Sequence, residues 1–439
     1  MQIATATVAE TLREKISNRT AKVGIIGLGY VGLPLATEFA SAGFHVTGID
    51  VQQRRTESLN MGLSYVQDVP SELVNSLVEA GKLHATSDCS VIAELDTVNV
   101  CVPTPLRKTK DPDMSYVVAA CDEIAKYLHS GMLIVLESTT YPGTTDELLL
   151  PMLERTGMKV GEDFFLCFSP ERVDPGNPKY KTLNIPKVVG GITPRCTELG
   201  SLFYSQAIEK VVPVSSTKVA EMVKLLENTF RMINIGLVNE LAMMCDRMGI
   251  NVWEVIDGAA TKPFGFMTFY PGPGLGGHCI PIDPFYLSWK TKQSGIEARF
   301  IELAGYINGH MPHFVVEKVQ NALNSQCKPL RGSHVHIMGI AYKRDIDDYR
   351  ESPALDIIHM LKERGALVTY SDPYLETAKL DGGEIHSVDE LSARSEADCV
   401  VIVTDHAKFD YAGLVANAKF IVDTRNALKG FHSDNIIRL

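Results

Sequence analysis

Residues 22–50, KVGIIGLGYVGLPLATEFASAGFHVTGID, decide the fold of the first part of the chain. An apolar run leads into Gly27, Gly29 and Gly32, a helical pattern follows, and a second apolar run ends at Asp50. This order predicts strand, tight turn, helix and strand. Glycines in such a turn let the backbone approach a pyrophosphate at the helix N-terminus. The stretch therefore predicts a dinucleotide site on a doubly wound sheet.

Asp50 indicates which dinucleotide the turn binds. It ends the second strand 18 residues after Gly32. A carboxylate there accepts hydrogen bonds from ribose hydroxyls and repels a 2′-phosphate, which favours NAD over NADP. Arg54 weakens that preference only slightly. The alternative is that Asp50 is a solvated strand end.

The same alternation of apolar runs and helical patterns occurs twice. In the first half it continues through DTVNVCVPTP, MLIVLES and DFFLCFSPERV to about residue 213. It returns after residue 330 with HVHIMGIAY, SPALDIIHMLKERG, ALVTYSDPY and DCVVIVTDH. In place of the glycines, this second half has three cations after its first strand, namely Lys343, Arg344 and Arg350. We infer two different nucleotides, one for each half.

A proline-free stretch separates the two halves. Residues 215–248 repeat apolar residues at spacings of three and four and end before Gly249. One long helix fits this pattern. The predicted fold class is therefore α/β, with two Rossmann-like doubly wound domains joined by a long central helix, which is a plausible hub between domains or subunits.

The composition limits the cell compartment and the partners. The chain has 439 residues, 45% of them hydrophobic, so it can bury two or three cores. A formal net charge of −11 argues against sequence-independent nucleic-acid binding. The first 20 residues lack a signal-peptide core, and no run reaches ~18 apolar residues, so we expect a cytoplasmic protein without a membrane partner. Nine scattered cysteines without zinc-site spacing predict reduced thiols and no metal.

One cysteine differs from the others in its surroundings. Cys279 lies in YPGPGLGGHCIPIDPFY, an open loop of glycines and prolines, four residues before Asp283. Nucleophilic cysteines occupy accessible, polar surroundings, so we interpret Cys279 as functional. His278 is adjacent, but neighbours in an extended loop point apart, and we assign it no role. Packing explains the cysteines in apolar runs, which are Cys101, Cys167, Cys245 and Cys399.

Polar residues on the long helix and after two strands are further candidates. Lys224 and Asn228 are four residues apart and share one helix face, where the lysine either snorkels to solvent or holds a reacting oxygen. Lys218 is interpreted as solvated. FSPERVDPG and LESTTYPGTT place further polar side chains where α/β sheets present ligand loops, and turn capping is the alternative explanation. These side chains are Glu171, Arg172, Asp174, Ser138 and Thr139.

From about Lys22 onward the sequence resembles the UDP-glucose/GDP-mannose dehydrogenase family of nucleotide-sugar 6-dehydrogenases. The motifs GLGYVGLP, ESTTYPGTT, SPERVDPG, EMVKLLENTF, GGHCIPIDP and GIAYKRDIDDYRES follow the family's order. The resemblance implies oxidation of a sugar C6 alcohol to a carboxylate with reduction of two NAD⁺. It also implies a thiohemiacetal and then a thioester on the cysteine.

Carried over by motif, the resemblance implies a role for each matched residue. Cys279 is the nucleophile, Lys224 and Asn228 stabilise the C6 oxyanion, and Thr139, Glu171 and Asp283 place water or relay protons. The implied NAD contacts are Gly27, Gly29, Tyr30, Val31, Gly32, Asp50, Thr104, Thr139 and Arg350. The implied sugar-nucleotide contacts are Glu171, Arg172, Val173, Lys224, Asn228, Tyr270, Gly276 and Lys343.

The resemblance also implies a domain division and a substrate branch. The expected domains are an extension (1–20), an NAD-binding Rossmann domain (21–213), a central helical dimerisation domain with the cysteine loop (214–312) and a UDP-sugar-binding Rossmann-like domain (313–439). KPFGFMTFYPGPGLGGHCIPIDP looks like the branch that oxidises UDP-N-acetylhexosamines, particularly UDP-N-acetylglucosamine, for surface polysaccharide precursors. The alternatives are a UDP-glucose or UDP-N-acetylgalactosamine 6-dehydrogenase, a two-electron dehydrogenase, and a paralogue that binds nucleotide sugars without turnover. We expect a homodimer or higher homo-oligomer.

Overall fold

A computed structural model describes residues 7–107, 111–174, 176–177, 179–380 and 383–439. Residues 1–6 of the expected extension and Pro175 of SPERVDPG lie outside this description. The chain divides into two compact units. Unit 1 runs up to Glu227 and includes Trp289–Ser294, whereas unit 2 consists of Asn228–Ser288 and Gly295–Leu439.

Within the described residues, unit 1 contains one eight-stranded sheet. Its strands are β1 (Lys22–Ile26), β2 (His45–Ile49), β3 (Leu83–Thr86), β4 (Thr97–Val100), β5 (Leu133–Leu136), β6 (Phe165–Phe168), β7 (Lys187–Gly191) and β8 (Val211–Pro213). They lie in the order β3-β2-β1-β4-β5-β6-β7-β8. The first six are parallel and have the order of a doubly wound nucleotide-binding sheet, which confirms the prediction. β7 pairs antiparallel with β6, and β8 pairs parallel with β7.

Both faces of this sheet are buried. The helices of unit 1 are α1 (Val8–Ser17), α2 (Gly32–Ser41), α3 (Gln53–Asn60), α4 (Ser71–Glu79), α5 (Ser115–Tyr127), α6 (Leu150–Glu154) and α7 (Pro194–Tyr204), with a 3-10 helix (Cys89–Glu94) and a π-helical turn (Thr145–Leu149). Along β5, Leu133 and Val135 pack into one core while Ile134 and Leu136 pack into another. Such double burial explains why the strand reads as an unbroken apolar run.

The described part of the N-terminal extension is the helix α1. A capping box begins it: the Thr7 amide donates to Glu10 Oε2 (2.7 Å), and the Glu10 amide donates to Thr7 Oγ1 (3.3 Å). Leu12 and Ile16, one turn apart, are buried in the same core as β1 and α7. This helix is therefore an integral layer of unit 1.

The predicted long helix is present as α8 (Thr217–Met248), which has 32 residues. It ends before Gly249, whose φ of +68° favours glycine and stops the helix. The boundary between the two units falls within α8, at Glu227 and Asn228. The domain boundaries proposed from the sequence stay a prediction.

The second half of the chain has its own parallel sheet. The remaining helices are α9 (Val252–Ala260), α10 (Asp283–Gln293), α11 (Arg299–Asn324), α12 (Pro353–Glu363), α13 (Glu390–Glu396) and α14 (Tyr411–Asn417). The strands are β9 (His334–Met338), β10 (Leu367–Ser371), β11 (Thr377–Leu380), β12 (Gly383–His386), β13 (Cys399–Ile402), β14 (Ile421–Asp423) and β15 (Ile436–Arg438). The parallel order is β10-β9-β13-β14-β15, and β11 and β12 form an antiparallel pair.

The two sheets share a turn with the same hydrogen bond. After β1, the Leu28 amide donates to Asp50 Oδ2 (2.9 Å), and after β9 the Ile340 amide donates to Asp372 Oδ2 (2.8 Å). The glycine before each amide has a positive φ, +91° and +80° respectively. Each acid directly follows the strand beside the first one. The internal repeat predicted from the sequence is therefore confirmed at the level of single bonds.

Candidate active site

The turn after β1 has little room for any residue other than glycine at two of its motif positions. Gly27 has a φ of +91°, and a Cβ there would lie 2.5 Å from the carbonyl oxygen of Cys101. A Cβ on Gly32 would lie 1.8 Å from the Gly27 oxygen. Among the described residues, no heavy atom that could oppose a Cβ lies within 4 Å at Gly29. Since α2 begins here, the turn fits a pyrophosphate bound at a helix N-terminus.

Asp50 lies buried beside this turn, with both carboxylate oxygens engaged. Besides the Leu28 amide, it accepts from the Gln52 amide (2.8 Å) and from Arg55 Nη1 (3.2 Å). The sequence predicted Arg54 as the cation near Asp50, but in the structure Arg55 donates to its carboxylate. Asp50 thus stabilises the turn, and its contact with a ribose stays a prediction.

The other predicted cofactor residues of unit 1 surround the same sheet edge. Tyr30 is exposed, and Val31, Thr104 and Thr139 are half-buried. Thr104 follows β4, and Thr139 follows β5, so parallel pairing brings both to the carboxyl end of the sheet. The Ser138 hydroxyl donates to the Val102 carbonyl (2.7 Å), which ties these two loops together.

Glu171 follows β6 at this edge and contacts two lysines. Lys224 Nζ, buried on α8, donates to the Glu171 main-chain carbonyl (2.6 Å). Glu171 Oε1 accepts from the amides of Arg172 (2.6 Å) and Val173 (2.7 Å), while Oε2 lies 3.3 Å from Lys187 Nζ. Burial, the largest effect, raises the Glu171 pKa, but Lys187 and the two amides together hold that pKa below its ordinary value. Of the two readings of Lys224, snorkelling to solvent does not fit its buried position.

Arg172 is held within the protein by several bonds. Its Nη2 donates to Glu227 Oε1 on α8 (2.6 Å), and its Nη1 donates to the Pro186 carbonyl (2.6 Å). Together with the Lys224 bond, this ion pair fastens the loop after β6 to α8. A contact of Arg172 with substrate stays a prediction.

In unit 2, Cys279 begins the turn that leads into α10. Its carbonyl accepts from the amides of Ile282 (3.1 Å) and Asp283 (2.8 Å). The Asp283 side chain is buried, and its Oδ2 accepts from Asn228 Nδ2 on α8 (2.6 Å). The thiol residue is half-buried, whereas Cys101, Cys167, Cys245 and Cys399 are buried as predicted. Unit 2 therefore brings three predicted residues, Cys279, Asp283 and Asn228, into one bonded group.

The glycines before the thiol pack against the loop after β9. A Cβ on Gly276 would lie 2.6 Å from Tyr342 Cβ. Gly277 has a φ of +83°, and its amide donates to the Arg350 carbonyl (3.1 Å). The thiol loop thus packs against the cation-rich segment that follows β9. This close packing requires glycine at positions 276 and 277.

Side chains of that segment reach the residue next to the thiol. Arg350 pairs with Asp348 (Nη2 to Oδ2, 2.6 Å), and its Nη2 lies 3.3 Å from His278 Nδ1. Arg350 is exposed, and Lys343 is half-buried. Tyr270, the remaining predicted contact, donates from its hydroxyl to Asp257 (2.9 Å).

Sequence reasoning missed a group of charges buried beneath Glu171. Lys187 Nζ lies 2.6 Å from Glu137 Oε2, and both residues are buried. Tyr204 and Asn99 donate to the other Glu137 oxygen (2.6 and 2.7 Å). The signal available in the sequence was a charged residue at one end of each of two apolar strands, LIVLE and KVVGG.

Across the described ranges, no helix combines the length and apolar character needed to cross a bilayer. No group of three or more His, Cys, Asp or Glu side chains in the described part of the chain could hold a metal ion.

Comparison with known families covers most of the chain. Three models of the UDP-glucose/GDP-mannose dehydrogenase family match: the NAD binding domain at residues 21–208, the central domain at 218–310 and the UDP binding domain at 336–430. The NAD-binding match contains the glycine turn, and the central-domain match contains Lys224, Asn228, Cys279 and Asp283.

Individual relatives act on several sugars. An NDP-N-acetyl-D-galactosaminuronic acid dehydrogenase of Ralstonia solanacearum is 35% identical over 417 residues, covering 92% of this chain and 95% of that protein. A UDP-N-acetyl-D-glucosamine 6-dehydrogenase of Pseudomonas aeruginosa is 36% identical over 396 residues, covering 89% and 92%. A structure of a UDP-D-ManNAc dehydrogenase from Pyrococcus horikoshii has a TM-score of 0.87 at 32% identity, covering 95% of this chain and 98% of the other.

Proposed function

The chain belongs to the UDP-glucose/GDP-mannose dehydrogenase family and is an NAD-dependent UDP-sugar dehydrogenase, and from that premise we propose that it oxidises C6 of UDP-N-acetylglucosamine to the uronic acid. The choice of an N-acetylhexosamine is supported by the three relatives described above, each of which has an N-acetylated sugar in its name. The choice of the gluco sugar rests on the loop KPFGFMTFYPGPGLGGHCIPIDP.

The observation that carries a four-electron reaction is the half-buried Cys279 beside the bonded pair Asp283 and Asn228. NAD⁺ held at the glycine turn would supply the hydride acceptor in each of two rounds, with NADH exchanged for a second NAD⁺ between them. After the first round the Cys279 sulfur adds to the C6 aldehyde, and the resulting thiohemiacetal again carries a hydride. Loss of that hydride together with the hydroxyl proton leaves a thioester, and water then releases the acid and restores the thiol.

We propose that Lys224 and Asn228 stabilise the oxygen on C6 while it carries negative charge. Both are polar groups held in α8 by neighbours, Lys224 by the Glu171 carbonyl and Asn228 by Asp283. Donors fixed before reaction need no reorganisation when the oxyanion forms, which makes them effective. Thr139, Glu171 and Asp283 are proposed to place the hydrolytic water and relay protons.

The nucleotide contacts are proposed from the same motifs. For NAD they are Gly27, Gly29, Tyr30, Val31, Gly32, Asp50, Thr104, Thr139 and Arg350. For the sugar nucleotide they are Glu171, Arg172, Val173, Lys224, Asn228, Tyr270, Gly276 and Lys343. The tight glycine turn supports the first set, because a side chain at Gly32 would displace the backbone that approaches the pyrophosphate.

The deciding experiment is a side-by-side turnover assay with four substrates. UDP-N-acetylglucosamine, UDP-N-acetylgalactosamine, UDP-glucose and GDP-mannose are each compared by kcat/KM and by NADH formed per sugar consumed. We expect the first to be preferred, with two NADH per sugar. Preference for UDP-glucose would overturn the substrate, one NADH with released aldehyde would indicate a two-electron enzyme, and binding without turnover would indicate a paralogue.

The role of the thiol has a separate test. Cys279→Ser removes the sulfur nucleophile but leaves the glycine turn intact, so we expect complete oxidation to stop while NAD binding persists. Cys245→Ser, at a buried packing cysteine, is the control for loss of a thiol. Normal acid production by Cys279→Ser would refute the assignment.

We also propose a homodimer formed through an apolar stripe of unit 2. Leu237 and Met244, two turns apart on α8, are 53% and 51% exposed, and Leu303 and Tyr306 on α11 are 55% and 72% exposed. Large exposed apolar side chains on two helices that are bonded to each other, α8 and α11, are typical of an interaction site. Light scattering of Leu237→Glu should show monomers, whereas Leu391→Glu, at an equally exposed leucine of α13, should leave the dimer intact.

A cytoplasmic role in making surface polysaccharide precursors fits this chemistry. All nine cysteines, each within the described ranges, are thiols, as is typical of reducing compartments. Cell fractionation with a tagged chain tests the location.

A further inference from the structure

A row of alternating charges is buried at the carboxyl edge of the unit 1 sheet. Glu137 follows β5, and its Oε2 lies 2.6 Å from Lys187 Nζ, which lies 3.3 Å from Glu171 Oε2. The carbonyl of Glu171 then accepts from Lys224 Nζ (2.6 Å). Two carboxylates and two ammonium groups therefore lead from the interior of the sheet to the lysine of α8.

The direction of β7 brings Lys187 to this edge. β7 runs antiparallel to β6, so its first residue lies where the neighbouring parallel strands end. The pairs Cys167 with Gly191 and Phe168 with Gly190 fix that register. Lys187 is thereby placed beside two acids that are 50 and 16 residues away in the chain.

Burying these charged groups costs free energy, so stability alone does not explain why they are present. Glu137 is fully buried, and Lys187 is 4% exposed. Taking an ion pair out of water costs several kcal/mol per ion, and apolar residues of similar size often give equal or better stability. The network is nevertheless well bonded, because Tyr204 and Asn99 donate to Glu137 Oε1. The network is fully hydrogen-bonded, costs free energy to bury and lies next to Lys224, which suggests that it positions this lysine.

We propose that Lys187 is a positioning residue: by pairing with the Glu171 carboxylate it fixes the main-chain carbonyl that holds Lys224 at the reacting oxygen. The inference rests on the proposed role of Lys224 in the dehydrogenase reaction. Lys187 itself touches neither substrate nor NAD in this scheme. It acts through the position and charge of Glu171.

The titratable groups around Lys187 determine which pKa values would change if this lysine were replaced. Glu137 and Glu171 face it from β5 and β6, Tyr204 from α7, and Cys101 from the end of β4. Burial raises the pKa of both Tyr204 and Cys101, so these two stay neutral at working pH. For Lys187 burial lowers the pKa, but the two acids outweigh burial and keep it charged. Glu171 is thus the neighbouring acid whose pKa Lys187 helps to hold low.

Lys187→Met should change the pH profile of kcat/KM, because the pKa of Glu171 depends on Lys187. Without the cation, burial moves the Glu171 pKa upward, by about 1–3 pH units for loss of a close opposite charge. We expect kcat/KM to gain an acid limb between pH 5.5 and 9 relative to the parent enzyme, and a shift of the Glu171 pKa to about 6.5 would give about tenfold loss near its acid end. Lys187→Arg keeps the charge and should restore most of the activity there. Glu137→Gln leaves the Lys187 to Glu171 pair and should keep the parent profile.

The double variant Glu137→Gln/Lys187→Met guards against a folding failure. It removes the ion pair as a neutral unit, leaves Glu171 without Lys187, and should show the same acid limb. Its unfolding gives a second measurement: since a raised carboxyl pKa favours the protonated native state, stability should fall as pH rises relative to Glu137→Gln.

The outcomes separate this inference from the proposed function. A parent enzyme that does not oxidise any of the four sugar nucleotides refutes the function, whatever the variants do. With an active parent, the positioning role is overturned if Lys187→Met keeps the parent's profile shape. It is equally overturned if Glu137→Gln loses as much activity as Lys187→Met, because the pair would then be merely structural.

Discussion

Replacing Glu221 by glutamine should flatten the pH dependence of the stability of unit 1. Glu221 lies fully buried on α8, one turn before Lys224. Its Oε2 accepts from the Gly143 amide (2.5 Å), and its Oε1 accepts from the Thr145 amide (2.9 Å) and hydroxyl (2.7 Å). The carboxyl therefore anchors the STTYPGTT loop that carries Thr139.

The size of the effect follows from the pKa of this carboxyl. Burial is the largest cause, and despite three hydrogen bonds it raises the Glu221 pKa from 4.5 to about 7. A carboxyl with a raised native pKa binds more protons folded than unfolded, so its contribution to stability falls as pH rises from 4.5 through 7. The difference of about 2.5 between the two pKa values, at 1.36 kcal/mol each, corresponds to about 3 kcal/mol above pH 7.

Glutamine removes the titration but fits the loop less well. Its single oxygen can accept from either Gly143 or Thr145, and its NH₂ then faces the other donor, at a cost of about 1–3 kcal/mol at every pH. At pH 5 the variant should therefore be less stable than the parent by about that amount. At pH 8 the variant does not have to bury a charged carboxylate, and this gain offsets its poorer hydrogen bonding. Variant and parent should therefore have nearly equal free energies of unfolding at pH 8.

Fluorescence can follow unit 1 separately. The chain has two tryptophans, and Trp289 belongs to unit 1, where its ring lies 5.0 Å from that of Tyr141. Trp253→Phe removes the other; its buried Nε1 has no hydrogen-bond partner among the described residues, so its loss should be tolerated. Denaturant unfolding at pH 5–8 in that background gives the free energies. A difference between variant and parent that stays constant over this range would refute the reasoning.

Three further predictions concern the glycine turn, the helix α1 and the thiol loop. Gly32→Ala should abolish NAD binding in a fluorescence titration, since its Cβ would meet a backbone oxygen at 1.8 Å, whereas Gly29→Ala should fold normally. Leu12→Ala should destabilise unit 1 by about 2–4 kcal/mol in denaturant unfolding, because α1 is part of its core. Gly276→Ala should lower kcat by more than about tenfold with NAD binding unchanged, because the 2.6 Å approach to Tyr342 would shift the thiol loop.

The sequence predicted local features well and distant pairings poorly. The glycine turn, α8 and its stop at Gly249 depend on spacings of a few residues, and the structure confirms them. The partner of Lys187 depends on the order and direction of β5, β6 and β7, which no local pattern determines. A charged residue at the end of an apolar run looks the same whether it faces solvent or a buried acid. Glu221 was missed for the same reason, since its donors lie more than 70 residues away.

The repeated turn changes how Asp50 should be interpreted. Asp372 occupies the same place in the second sheet, where no GxGxxG motif is present, and it accepts the same kind of amide bond. An acid at this position is therefore sufficiently explained by the turn, because a buried backbone amide needs an acceptor. The turn of the first half differs in two ways. Gly27 and Gly32 approach each other closely there, and the helix α2 begins at Gly32 itself. We therefore predict that the glycine contact decides whether a pyrophosphate can bind at the turn, and that Asp50 adds ribose recognition to that site.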